Sequence, residues 1–72
     1  MIEIDMRRLG EKIKELRIER GLSQKQLADK IGVATNTVSQ YESGKSKTSI
    51  DILANLAIEL DTTTDFLLGL EH

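Results

Sequence analysis

Apolar residues recur along this chain at intervals of three and four, with polar residues filling the gaps. Leu9, Ile13 and Leu16 form one such stripe, which predicts a helix over about 6–20 with its buried face on these residues. Leu27 and Ile31, four apart, predict a second short helix, and Val38 and Tyr41, three apart, a third over about 35–43. Ile50, Leu53, Leu56, Ala57 and Leu60 make the inward face expected of a fourth helix at about 50–60, and Phe66 and Leu67 belong to a short fifth. Ile2 and Ile4 alternate with Glu3 and Asp5, as a short strand or arm would, but five residues do not decide it, and a loose terminus is the expectation there. There is no proline and no repeat. The pattern predicts an all-α fold, a compact bundle of five short helices.

Polar residues and glycines mark where these helices start and stop. Asp5 is placed to cap the first helix, and Gly21 to end it in a left-handed turn. Ser23 and Gln26 are spaced as a capping box for the second, with Leu22 and Leu27 at the two positions of a hydrophobic staple. Gly32 closes that helix and Gly44 the third; Ser49 and Thr63 are N-caps for the last two. Residues 24–44, QKQLADKIGVATNTVSQYESG, therefore read as two short helices joined by a tight glycine turn, with Val33 just after it. Ala28 is small where the second of these helices should cross the first, as a steep packing angle requires. This is the pattern of a helix-turn-helix.

A chain of 72 residues makes one domain, and a core of this size supplies no more than about 3–5 kcal/mol. With no cysteine, neither a disulfide nor a thiolate metal site can reinforce it, and cytoplasmic localisation is the expectation. No apolar run approaches a membrane span, so no membrane partner is expected. Net charge is −2, but its distribution alters the picture. All ten Lys and Arg lie between Arg7 and Lys47 against five acids, a local balance of +5, whereas residues 48–72 hold five acids and no Lys or Arg. That asymmetry points to one face for a polyanion and another turned away, although i, i+4 pairing on solvated helix faces would explain part of it.

Enzymatic chemistry finds no support. Cysteine is absent, and the one histidine, His72, lies in Leu70-Glu71-His72, which matches the start of a vector-encoded Leu-Glu-polyhistidine tail. On this reading residues 1–5 are an N-terminal arm, 6–69 the domain, and 70–72 a tag remnant. The serines have no nucleophile-elbow or triad context. The pairs Glu11/Glu15 and Asp61/Asp65 are read as solvated, and the glycines are spaced as helix terminators rather than as a phosphate cradle. No metal ligand set and no cofactor are expected.

Four segments, LRIERGLSQKQLADKIGV, VSQYESGK, SIDILANLAIEL and DFLLG, resemble lambda-repressor-like DNA-binding domains of the Cro and phage repressor (XRE) type. The resemblance covers about residues 7–68. It implies that helices 2 and 3 form the DNA-reading unit of a five-helix domain, with helix 3 in the major groove. It implies base contacts for Thr35, Asn36, Ser39 and Gln40, whose amides and hydroxyls can bond base edges. Gln24, at the start of helix 2, and Lys45 and Lys47, after helix 3, would contact phosphate. Arg17 and Glu42 would form a partly buried ion pair pinning helix 3 to helix 1. The chain departs from the family in carrying Ala34 where a Ser or Thr cap is usual, Thr48 where proline is common and Thr62 where an apolar residue is common. Thr35 could cap in place of Ala34, which would remove it from base reading.

The resemblance thus implies a sequence-specific regulator, a repressor first, that binds double-stranded operator DNA. The alternative is an antitoxin-like or adaptor domain acting through a protein partner. Once the core-facing residues of helices 4 and 5 are assigned, Ile52, Ile58 and Leu68 are left over, and they are expected to form the interface of a homodimer on DNA.

Overall fold

The computed structural model describes residues 3–70; the remainder of the expected arm and tail, Met1, Ile2, Glu71 and His72, lies outside the described residues. Five helices follow one another: α1 (Met6–Glu19), α2 (Gln24–Ile31), α3 (Thr35–Ser43), α4 (Ile50–Glu59) and α5 (Thr64–Leu68), with no strand among the described residues. Side-chain caps explain the starts. The Asp5 carboxylate accepts from the backbone N–H groups of Arg7 and Arg8 at 3.0 and 3.3 Å. At α2 the capping box is complete: Ser23 Oγ accepts from Gln26 N–H at 3.0 Å while Gln26 Oε1 accepts from Ser23 N–H at 2.8 Å. Ser49 and Thr63 hydroxyls accept from Ile52 and Phe66 N–H groups at 3.1 and 3.0 Å. α3 is the exception, because its N-cap Ala34 has no side-chain acceptor to offer. Thr35 lies inside that helix, exposed in its first turn, so it does not serve as the cap.

α2 and α3 pack against each other, α1 covers α3, and α4 and α5 close the far side. Their inward faces meet in one cluster. Ile13, Leu27, Ala28, Val38, Leu56 and Leu60 are fully buried at its centre, with Leu16, Leu22 and Val33 packed around them. Burial of this kind stabilises by about 1.5–3 kcal/mol for each large side chain, so the stripes read from spacing are also the main cohesive force.

α4 departs from the expected assignment at two positions. Ile50, expected to face the core, is 86% exposed, and Ile52, expected to be left over for a partner, is half-buried against the core. The inward stripe runs Ile52, Leu56, Leu60 with Leu53 and Ala57 beside it, a track of i, i+4 steps. Ile50 flanks that track at the first helical residue, with no preceding turn to bring it over the core. Ile52 is therefore withdrawn from the interface set, whereas Ile58 is 73% exposed.

One packing feature has no counterpart in the apolar pattern. Gly10 lies buried inside α1, where a Cβ would stand 2.5 Å from the Glu42 carbonyl oxygen and also overlap that of Tyr41. The backbones of α1 and α3 touch there. Gly10 costs α1 roughly 0.5–1 kcal/mol of helix propensity and permits that approach.

Candidate functional site

Everything that orients α3 converges on its last turn. Glu42 is the hub: Arg17 reaches from α1 and donates through Nε to Oε2 at 2.6 Å and through Nη2 to Oε1 at 3.1 Å. Arg17 Nη1 also donates to the Leu22 carbonyl at 2.8 Å, tying the α1–α2 turn into the same cluster. Gln24 Nε2 donates to Glu42 Oε1 at 3.0 Å. The two charged side chains retain only 11% and 5% of their exposure, and the fork geometry supplies the hydrogen bonds that make such burial tolerable. The glutamine thus gives one of its two N–H bonds to the hub, which holds its amide over the start of α2 with a second donor left for a ligand.

Outward from the hub, α3 presents a polar face opposite Val38. Thr35 and Asn36 are exposed, and Ser39 and Gln40 half-exposed. Spacing of three and four places Asn36, Ser39, Gln40 and Ser43 on adjoining rows. Because Ala34 lacks a capping oxygen, the N–H groups of Thr35 and Asn36 have no side-chain acceptor. At the other end Gly44 takes φ +79°, and the chain folds back so that Lys45 N–H donates to the Gln40 carbonyl at 3.0 Å. The return brings Ser46 beside the Gln40 side chain, where Ser46 Oγ donates to Gln40 Oε1 at 3.0 Å.

The basic residues separate into two groups. Five are committed to protein partners. Lys12 donates to the Phe66 carbonyl at 2.9 Å with its Nζ 5.1 Å from the Phe66 ring centre, and Arg20 donates to the Leu60 carbonyl at 3.2 Å and faces Asp61. Arg17 joins Glu42; Lys25 pairs with Asp29, the one i, i+4 pair among the described residues, and Lys30 with Glu59. Within α1, Lys12 and Arg17 thus bridge to other elements. Arg7, Arg8, Lys14, Lys45 and Lys47 have no acidic partner among the described residues. Lys45 and Lys47, both exposed, follow α3 directly, and Arg7 packs against Gly44 just before them, its Cγ 3.0 Å from where a Cβ on Gly44 would be. Sequence reasoning missed Arg7, which is far from α3 along the chain. It also missed Gly10, although a glycine inside a helical stripe was a legible sign of close backbone approach.

Comparison with known proteins now decides the family. A helix-turn-helix family model matches residues 13–67, most of the chain. The chain belongs to the lambda-repressor-like helix-turn-helix family. This helix-turn-helix domain is 43% identical over 61 residues to the HTH-type transcriptional regulator AnsR of Bacillus subtilis, covering 85% of the chain and 53% of AnsR. It spans about half the length of the curated relatives it matches. Among solved structures, the P22 c2 repressor in complex with a synthetic operator superposes with a TM-score of 0.83 at 27% identity, covering 88% of this chain and 96% of that one. SinR, a master regulator of biofilm formation, in complex with DNA superposes at 0.76 with 36% identity, covering 83% and 97%. In the lambda-repressor-like frame α2 and α3 are the helix-turn-helix and α3 the recognition helix. Among the described residues no helix is long and apolar enough to cross a membrane, and no group of three or more acidic, His or Cys side chains is placed to hold a metal ion.

Proposed function

We propose that this domain binds double-stranded operator DNA sequence-specifically, with α3 in the major groove, and acts in the cytoplasm as a transcriptional regulator, a repressor first. The observation that carries the reading is the polar face of α3, bordered by cations that have no acidic partner among the described residues. Asn36 and Gln40 carry amides that can donate to and accept from base edges, and Thr35 and Ser39 add hydroxyls or a methyl contact. The uncapped N–H groups at the start of α3, and Gln24 at the start of α2, suit phosphate oxygens. Lys45, Lys47 and Arg7 supply the sequence-independent attraction. A homodimer would place two copies of α3 about 34 Å apart, one turn of DNA. Ile58 and Leu68, on the acidic α4–α5 side, form its expected contact. No observation favours the antitoxin-like or adaptor alternative.

Affinity measured against salt concentration tests the reading. The domain should bind a duplex selected from a random pool in a strongly salt-dependent way. Lys45→Ala, Lys47→Ala or Arg7→Ala should each weaken selected and unselected duplexes alike and lower the logarithmic salt slope by about 0.9. Gln40→Ala should relax preference at one base position while leaving non-specific affinity nearly intact. Absence of salt-sensitive DNA binding would overturn the proposal.

A further inference from the structure

We propose that Ser46 is a specificity-positioning residue: its hydroxyl holds the Gln40 carboxamide in the orientation that turns the amide N–H bonds to the ligand. The inference rests on α3 being the base-reading helix and adds a residue that lies outside it. A glutamine at a recognition surface has two weaknesses. Its side chain loses rotamer freedom when ordered, and its amide can turn over, exchanging an acceptor for a donor at the same place. An amide free to turn over reads donor and acceptor base edges alike.

The fold restricts both freedoms at Gln40. Gly44, with φ +79°, reverses the chain at the end of α3, and the Gln40 carbonyl collects the backbone N–H of Lys45 at 3.0 Å and of Ser46 at 3.4 Å. The Ser43 hydroxyl donates to the same carbonyl at 3.2 Å. These bonds fix the returning loop over the last turn of α3, so Ser46 has a defined position six residues beyond Gln40. From there Ser46 Oγ donates to Gln40 Oε1 at 3.0 Å in a half-buried setting. A hydroxyl can serve either end of an amide, but here it donates to the carbonyl oxygen. Nε2 is therefore on the opposite side of the amide, and it donates to no protein group among the described residues. Held this way, Gln40 offers donors, which match purine N7, guanine O6 or thymine O4 and oppose the N4 donor of cytosine. Because the orientation exists before binding, its ordering cost is not incurred on the DNA.

Ser46→Ala frees the amide, and Ser46→Thr keeps the hydroxyl. Duplexes selected from a random pool by the parent, Gln40→Ala, Ser46→Ala, Ser46→Thr and the Gln40→Ala/Ser46→Ala double variant separate the possibilities. The expected result is that Ser46→Ala lowers discrimination by roughly 3- to 10-fold, the worth of one hydrogen bond, at the position that Gln40→Ala flattens. Other positions and the salt slope should be unchanged, Ser46→Thr should retain the parental preference, and the double variant should match Gln40→Ala alone. In the free protein, the Gln40 side-chain amide resonances should move in Ser46→Ala and stay near their parental positions in Ser46→Thr. If Gln40→Ala flattens a position that Ser46→Ala leaves sharp, the positioning role is overturned while the base-reading proposal stands. Weakening spread over all positions, or additive effects in the double variant, overturns it in the same way. A parent that selects no sequence overturns the base-reading proposal itself. Unmoved amide resonances in Ser46→Ala overturn the hydrogen bond whatever the DNA result.

Discussion

Replacing Gly10 with alanine tests the closest approach in the fold. At an ordinary helix position Gly→Ala stabilises, by roughly 0.8–1 kcal/mol. At position 10 the new Cβ would lie 2.5 Å from the Glu42 carbonyl oxygen and 2.7 Å from its carbon, and would overlap the Tyr41 carbonyl oxygen. Carbon contacts settle at about 3.5–4.0 Å, so α1 and α3 would have to part by about 1 Å. Both obstacles are backbone, which cannot swing aside as a side chain can. Overpacking of this kind costs about 1–3 kcal/mol or more, and parting the helices would also strain the 2.6 Å Arg17–Glu42 bond on the same interface. With backbone on both sides the cost falls at the upper end of that range, about 3 kcal/mol, so the net expectation is a loss of roughly 2 kcal/mol after the helix gain, which for a domain this size lowers the Tm by roughly 8–16 °C. Thermal and urea unfolding followed by circular dichroism measure it, with Glu11→Ala, exposed at the next position, expected within about 0.5 kcal/mol of the parent. A Gly10→Ala variant as stable as the parent, or more so, would refute the close approach.

Ala34→Ser should stabilise by about 0.5–2 kcal/mol, because the Ala34 backbone already has the extended N-cap conformation (φ −72°, ψ 151°) and lacks only the acceptor; an unchanged urea midpoint would contradict this. Arg17→Met should cost about 3–5 kcal/mol by leaving the Glu42 carboxylate buried without its cation, whereas Arg17→Met with Glu42→Leu should cost well under the sum of the two single changes. Additive losses in that double-mutant cycle would show that the two side chains do not act as a pair. Sedimentation equilibrium over a concentration series should show the domain self-associating and Ile58→Glu and Leu68→Glu weakening it; a parent that stays monomeric throughout, or variants that associate as it does, would remove this interface.

The helices, their caps and the centre of the core were legible along the chain because each depends on residues three or four apart. The Ser23–Gln26 box, the glycines at 21, 32 and 44, and the buried Leu27, Ile31 and Val38 are all of this local kind. The family resemblance added what spacing alone could not, the pairing of Arg17 with Glu42 and the outward face of α3. Only the tertiary structure decided that Ile50 stands clear of the core while Ile52 packs against it, since hydrophobicity is equal at both and rotation about the α4 axis is set by what that helix meets. The same holds for Gly10 and Arg7, which meet the end of α3 across more than thirty residues of chain. It holds for the cations as well: ten were countable, but which five engage carbonyls and carboxylates of other residues depends on distances that the order of residues does not specify. Local geometry is encoded by neighbours in the chain, while burial and charge pairing are properties of the packed surface, and the candidate site draws on both.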